Sequence, residues 1–203
     1  MTSVMNPPSS ETLISVRHDL RPGDLGAVVS LHGVVYAAEQ GFDATFEAYV
    51  AGPMAEFVRT RGPRERLWIA ERGDRLVGCI AIVGAGSRGA LNHAGKGDAS
   101  ASEAGDAAQL RWFLVAPEAR GAGLGRRLLG DAVAFARTCG YRSIQLWTVS
   151  ALKTAAALYR AAGFEKTEEK PGRMWGVEVV EEKFVLCLEG AAVPVTEKPS
   201  KDL

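Results

Sequence analysis

The sequence predicts a single α/β domain of about seven strands and about four helices. Three observations carry this. The length of 203 residues suits one sizeable core. Short apolar or alternating runs of strand length recur along the chain, interleaved with segments whose apolar residues repeat at three and four positions. Between residues 109 and 140 a strand-like run, a glycine-dense loop and an amphipathic segment follow one another directly.

In chain order, a polar, proline-bearing leader over residues 1–11 precedes a short strand at 13–17. Pro22 and Asp24 then signal a helix start, and Leu25, Val28, Val29, His32, Val35 and Tyr36 form its apolar face, with His32 at the core edge. Phe46, Val50, Phe57 and Val58 suggest a second helix over about 43–60, bent or interrupted at Gly52-Pro53. Strands at 67–71 and 76–83, joined by a turn at 72–75, read as a hairpin. Residues 109–115 are the next strand, ended by Pro117. Leu124, Leu128, Ala132, Phe135 and Cys139 line one helix face, and Gly140 stops it. A strand at 141–148, a short helix at 155–162 and strands at 164–169 and 179–188 complete the domain, spanning 12–189, and 190–203 is a polar, flexible tail.

Residues 84–108 fit no compact element. Of these 25 residues, 17 are Gly, Ala or Ser and only Leu91 is a large apolar side chain, so the segment reads as a mobile hairpin insertion. It contains a G-x-G-x-x-G match at 84–89, but no amphipathic helix follows, so the context of a phosphate site is missing.

Composition narrows the partners. Lys plus Arg and Asp plus Glu each number 24, and the cations are spread along the chain, which predicts neither nucleic acid nor an anionic membrane as partner. Residues 1–11 lack a charged segment followed by an apolar one, and no run of eighteen apolar residues occurs. Cys79, Cys139 and Cys187 sit in apolar patterns and read as buried, inert thiols, which suits a reducing cytoplasm. His18, His32 and His93 are scattered without ligand spacing, so no metal is expected.

The glycine-dense loop carries the chemistry. Gly121, Gly123 and Gly125 open the 124–139 helix, so bare backbone N–H groups and the positive end of the helix dipole converge there, with Arg120, Arg126 and Arg127 adding charge. The dinucleotide fingerprint fails, because the sixth position from Gly121 is Arg126, and the P-loop fails because two arginines follow Gly125. What fits is [Gln/Arg]-x-x-Gly-x-[Gly/Ala], met by Arg120, Gly121, Ala122, Gly123, Leu124 and Gly125. Downstream stands Leu158-Tyr159-x-x-x-Gly163-Phe164.

In these two motifs and their order the chain resembles the GCN5-related N-acetyltransferase (GNAT) family, over about residues 13–188. Likeness at 32–36, 68–72, 146–148 and 159–164 is greatest to the acetyltransferase half of bacterial MarR–acetyltransferase fusion proteins, without their DNA-binding half. The resemblance implies a mixed, mostly antiparallel central sheet flanked by the helices, and acetyl-CoA as co-substrate with no metal. It implies that the strand end at Phe113, Leu114 and Val115 binds the pantetheine arm, and that the segment from Arg120 through Arg126 holds the pyrophosphate. Tyr159 would protonate the departing thiolate, and a phenol of pKa ~10 is adequate for a thiolate of pKa about 8.5. The function implied is direct acetyl transfer to a primary amine of a small molecule or peptide. A catalytically idle acyl-CoA sensor and an acyltransferase with another acyl-CoA or an oxygen acceptor are the other classes, and a homodimer is left open.

The base that deprotonates the amine is not obvious. Alternation puts Gln109, Arg111, Phe113 and Val115 on one strand face and Leu110, Trp112 and Leu114 on the other, and neither face offers a carboxylate. Glu39, near the end of the first helix, and Glu178, before the last strand, are candidates, and a water relay stands equally beside them; a solvated surface charge is the alternative for either glutamate. Tyr36 and Arg111 are expected at the acceptor, where Arg111 would favour a carboxylate unless it forms a structural ion pair. Residues 149–152 lack the asparagine that family members often place before the tyrosine helix, so one cofactor contact has no counterpart.

Overall fold

The computed structural model describes residues 13–85 and 106–188. The elements follow as β1 (Ile14–Arg17), α1 (Asp24–Gln40), α2 (Thr45–Thr60), β2 (Arg66–Arg72), β3 (Arg75–Gly84), β4 (Ala107–Val115), α3 (Leu124–Thr138), β5 (Ser143–Val149), α4 (Lys153–Ala161), β6 (Glu165–Met174) and β7 (Val177–Cys187). One 3₁₀ turn, Pro117–Ala119, lies between β4 and α3.

The strands form one seven-stranded sheet in the order β1-β2-β3-β4-β5-β7-β6. Among the described residues only β4 and β5 run parallel, and every other pair is antiparallel. α1 and α2 cover one face over a core that includes Val28, Met54, Phe57, Ile69 and Ala81, and α3 and α4 cover the other over Leu128, Ile80, Ile82 and Phe184. Residues 77–83 of β3 are buried without alternation, as expected of a central strand between two helical layers. Arg17 ties the layers together at one edge, reaching Asp24 on α1 at 2.6 Å and Glu71 on β2 at 2.7 Å.

Several expectations change. Pro53 does not interrupt α2, which runs unbroken with Pro53 buried. β6 continues five residues past Glu169, through Pro171, because β6 is an edge strand where a missing N–H costs no ladder bond. Its turn into β7 places Trp175 at φ 52° and Gly176 at φ 83°, the paired positive values of a tight hairpin. The ends of the 84–108 segment belong to the sheet: Gly84 pairs with Ala108, and Ala85 N–H donates to Ala107 O at 2.9 Å. Its remainder, 86–105, the G-x-G-x-x-G match from Gly86 on, the 1–11 leader and the 190–203 tail lie outside the described residues. Of the thiols only Cys79 is buried; Cys139 is half-buried and Cys187 exposed, since it closes β7.

The alternation along β4 is the most consequential correction. Cys79 pairs with Leu114 but Ala81 with Arg111, so β4 holds one residue more than β3 across this interval. Trp112 absorbs the extra residue at φ 48°, a conformation rare for a large side chain. The faces therefore exchange midway: Ala108 and Leu110 pack toward α3, Trp112 and Leu114 toward α2, and Phe113 and Val115 toward α3 again. The Cys79 thiol donates to Trp112 O at 3.0 Å, satisfying a carbonyl within the bulge.

Candidate active site

β4 and β5 pair only from Ala107 and Ser143 to Gln109 and Gln145. Past that point they part, while β5 stays paired with β7 along its whole length. The wedge opens into a cavity of about 100 Å³. α1 contributes His32 and Tyr36, β4 contributes Gln109, Arg111 and Trp112, and α4 contributes Tyr159. Beyond the bulge, the β4 edge facing the wedge has no strand partner among the described residues, and apart from Val115 O, which accepts from Arg120, its backbone groups are open to a ligand lying along it.

At the mouth of the wedge, Gly121 and Gly123 stand at φ 83° and 80° with open space where a side chain would be. Glycine is required there by the backbone, not by crowding. The α3 ladder starts with Arg127 N–H to Gly123 O at 3.1 Å, which leaves the N–H groups of Leu124, Gly125 and Arg126 at the free end of a helix with no acidic residue in its first turn. Ala122, Arg126 and Arg127 are exposed, while the Leu124 side chain is buried in the core, so only its backbone faces the loop.

Tyr159 is 5% exposed and packs against Phe113, at 6.0 Å between centroids, Phe164 and Phe184. Burial pushes its phenol well above the ordinary value, and the nearby Tyr36 phenol adds to this. Tyr36 is likewise pushed up, first by burial and then by Cys79 and Glu39, with Arg120 opposing. Both phenols stay protonated at physiological pH.

His32, placed at the core edge by the sequence, lines the cavity and is 3% exposed. Its Nδ1 lies 2.8 Å from Val28 O, a contact that calls for an N–H on Nδ1 and leaves the lone pair on Nε2. Burial lowers its pKa from 6.5 to about 4 against the opposing pull of the Val28 carbonyl, so the ring is neutral. Sequence reasoning had a usable signal: His32 stands one helical turn before Tyr36, and their rings stack at 6.1 Å.

The two glutamates go elsewhere. Glu39 accepts from Arg120 Nη1 at 2.8 Å and Nη2 at 3.2 Å, and Arg120 Nε donates to Val115 O at 3.0 Å. Glu39 thus joins the end of α1 to the glycine loop and does not line the cavity. Glu178, with its side chain 78% exposed, lies 3.9 Å from Arg173 across the β6–β7 hairpin. Arg111 does enter the cavity, with its guanidinium carbon 5.7 Å from the Tyr49 ring and 5.2 Å from that of Trp112.

Aromatic residues far apart in sequence close the remaining wall. Trp175, at the β6–β7 turn, stands 4.8 Å from Phe42, 4.9 Å from Phe46 and 5.3 Å from Tyr49, and its carbonyl accepts from Asp43 N–H at 2.9 Å.

Comparison with known proteins agrees with this architecture. The family model described as "Acetyltransferase (GNAT) family" matches residues 34–164. An uncharacterized N-acetyltransferase of Schizosaccharomyces pombe is 28% identical over 135 residues, 66% of this chain and 72% of that protein. Among solved structures, YncA of Salmonella typhimurium, determined with its cofactor acetyl-CoA, superposes with a TM-score of 0.62 at 19% identity, covering 90% of this chain and 98% of its own. A ribosomal-protein-alanine N-acetyltransferase of Brucella melitensis gives a TM-score of 0.66 at 18% identity, covering 86% and 99%. With more than half of its length matched to the family model and its fold shared, this chain belongs to the GNAT acetyltransferase family.

Proposed function

We propose that the protein is an acetyl-CoA-dependent N-acetyltransferase that moves the acetyl group directly to a primary amine of a small molecule. The observation that carries this is the β4 edge that β5 leaves unpaired, with the glycine loop following its end and Tyr159 in the cavity beside it. The residues present suit the co-substrate. Backbone groups of Phe113 to Val115 would hold the pantetheine arm, and the free N–H groups from Gly121 to Arg126 would hold the pyrophosphate. A groove of about 290 Å³ between α3 and α4, lined by Arg126, Leu129, Arg137 and Leu158, continues from the loop and would take the distal nucleotide.

In the transfer, the amine nitrogen bonds to the thioester carbonyl carbon, the carbon–sulfur bond breaks, and one proton passes from nitrogen to sulfur. Tyr159 would donate to the leaving sulfur. Its raised pKa does not disqualify it, because the desolvation that stabilises the phenol also raises the proton affinity of a thiolate in the same cleft. For the nitrogen proton, we favour over Glu39 a water relay that the Nε2 lone pair of the neutral His32 orients. His32 is in the cavity with its tautomer fixed, whereas the Glu39 carboxylate is engaged by Arg120 outside it. The proton then returns through the cleft to the tyrosine. We place the reaction in the cytoplasm and, among family members, nearest the MarR-fused acetyltransferases on the likeness of motifs.

The test is incubation with acetyl-CoA and a panel of amino acids, polyamines, aminoglycosides and peptides, with free CoA and N-acetylated product both measured. Matched formation of the two with any amine supports the proposal. Tight acetyl-CoA binding without turnover on the whole panel would instead indicate a sensor.

A further inference from the structure

Packing does little to hold the glycine loop. Between buried Ala119 and buried Leu124, the residues Arg120, Gly121, Ala122 and Gly123 are all exposed. Among the described residues, nothing beyond the chain neighbours stands within 4 Å of where a Cβ on Gly121 or Gly123 would be. A glycine-rich segment so placed loses much conformational freedom when a ligand orders it, and that loss weakens binding. Arg120 is what restrains it. Nη1 and Nη2 of its guanidinium donate to the two carboxylate oxygens of Glu39 at 2.8 and 3.2 Å, and Nε donates to Val115 O at 3.0 Å. One side chain therefore ties the first residue of the loop to the end of β4 and to the end of α1, 81 positions away in sequence. Glu39 has no local reason to stand there. It lies in the last turn of α1, at the negative end of the helix dipole, with no basic residue in that turn to offset it. An ordinary surface pair is worth little, but a carboxylate gripping both arms of a guanidinium whose third nitrogen is also bound is the geometry that fixes a side chain.

We infer that Glu39 is a positioning residue for acetyl-CoA: by holding the Arg120 fork it fixes the glycine loop against the end of β4 before the cofactor arrives. The N–H groups for the pyrophosphate and the β4 edge for the pantetheine arm are then presented in one geometry. This rests on the acetyl-CoA reading above. With Arg120 committed to Glu39 and Val115, the pyrophosphate is left to the backbone N–H groups of the loop and of the α3 start. Glu39 also neutralises Arg120, so its removal has two effects of opposite sign: the loop loses its restraint, and a freed cation attracts the pyrophosphate. The Arg120 side chain is 44% exposed, so water and salt screen that attraction, and the loss of order prevails.

The experiment is calorimetry of acetyl-CoA on the wild type, Glu39→Gln, Arg120→Lys and the double variant, each shown to be folded by its melting curve. Both single variants should bind acetyl-CoA about fivefold more weakly, the scale of a well-oriented pair at partial exposure. Arg120→Lys separates geometry from charge, since lysine keeps the charge and loses both the fork and the Nε contact. The double variant should be no weaker than either single, because the two residues act as one unit. In turnover with an amine acceptor, Glu39→Gln should raise KM for acetyl-CoA by the same factor, with the single-turnover rate at saturating acetyl-CoA and its pH profile unchanged. Full affinity in Arg120→Lys, equal or tighter binding in Glu39→Gln, or additive losses in the double variant would overturn the inference and leave the acetyl-CoA reading intact. A fall in the single-turnover rate with KM unchanged would make Glu39 the base and overturn it equally. If acetyl-CoA does not bind the wild type, the cofactor reading fails and the inference falls with it.

Discussion

His32 is neutral because the fold leaves its imidazolium nothing to solvate it. With a pKa of about 4 in the native protein and 6.5 as the reference, the native state excludes a proton that the unfolded chain binds as pH falls below 6.5. Stability from this residue is therefore complete above about pH 6.5 and is lost as pH falls toward 4, where the native ring also protonates. At 1.36 kcal/mol per pH unit the loss totals about 3 kcal/mol. Denaturant titrations of the wild type and His32→Gln between pH 4 and 7 should show that slope in the wild type and its absence in the variant. Equal pH dependence in the two proteins would mean that the ring reaches water in the native state. Arg17 makes a different demand at lower pH. Burial pushes the Asp24 carboxyl up, yet hydrogen bonds from the Arg17 guanidinium and the Arg21 backbone hold it below the usual value, so its contribution survives until more acid conditions than that of His32.

At the scale of elements, α3 and its glycine loop form the best-specified piece of the chain. Leu124, Leu128 and Ala132 recur at helical spacing, and only a backbone with positive φ at Gly121 and Gly123 joins this helix to β4. A β-branched side chain at Gly123 would be forced into a left-handed conformation at a cost of about 1–3 kcal/mol, and would stand where the pyrophosphate approaches the N–H groups. Gly123→Val should lower acetyl-CoA affinity by about tenfold or more, read by calorimetry on protein shown to be folded, and unchanged affinity would place the pyrophosphate elsewhere. The loop was legible because its signal is local: glycine spacing, the start of an amphipathic helix and a strand before it. The bulge in β4 was not. Nothing in the pair Arg111-Trp112 demands it, because it arises from the register against Cys79 and Ala81 thirty residues earlier. Strict alternation accordingly sent Phe113 and Val115 to the wrong face and hid the grouping of Gln109, Arg111 and Trp112.

For the molecule as a whole, the sheet is two parts joined by the short parallel contact between β4 and β5, and the site is the gap that this contact fails to close. Seven strands and four helices could be read from the chain, because every element except the edge strands β1 and β6 buries an apolar face of its own. The aromatic wall could not, because Phe42, Tyr49 and Trp175 meet only when the α1–α2 segment docks on the β6–β7 turn. Glu39 shows the same limit: its position suggested a base, and the tertiary structure gives it to Arg120. Tyr159, which the motif singles out, lines the cavity from the helix that follows β5. Tyr159→Phe keeps the ring and its contacts with Phe113, Phe164 and Phe184, so the variant should melt close to the wild type and bind acetyl-CoA with nearly the same affinity. With a good amine acceptor, and with the chemical step resolved by single-turnover kinetics, its rate of acetyl transfer should fall on the order of 10²-fold. Transfer at the wild-type rate would contradict the assignment of Tyr159 as the proton donor to sulfur and reduce it to a packed aromatic side chain.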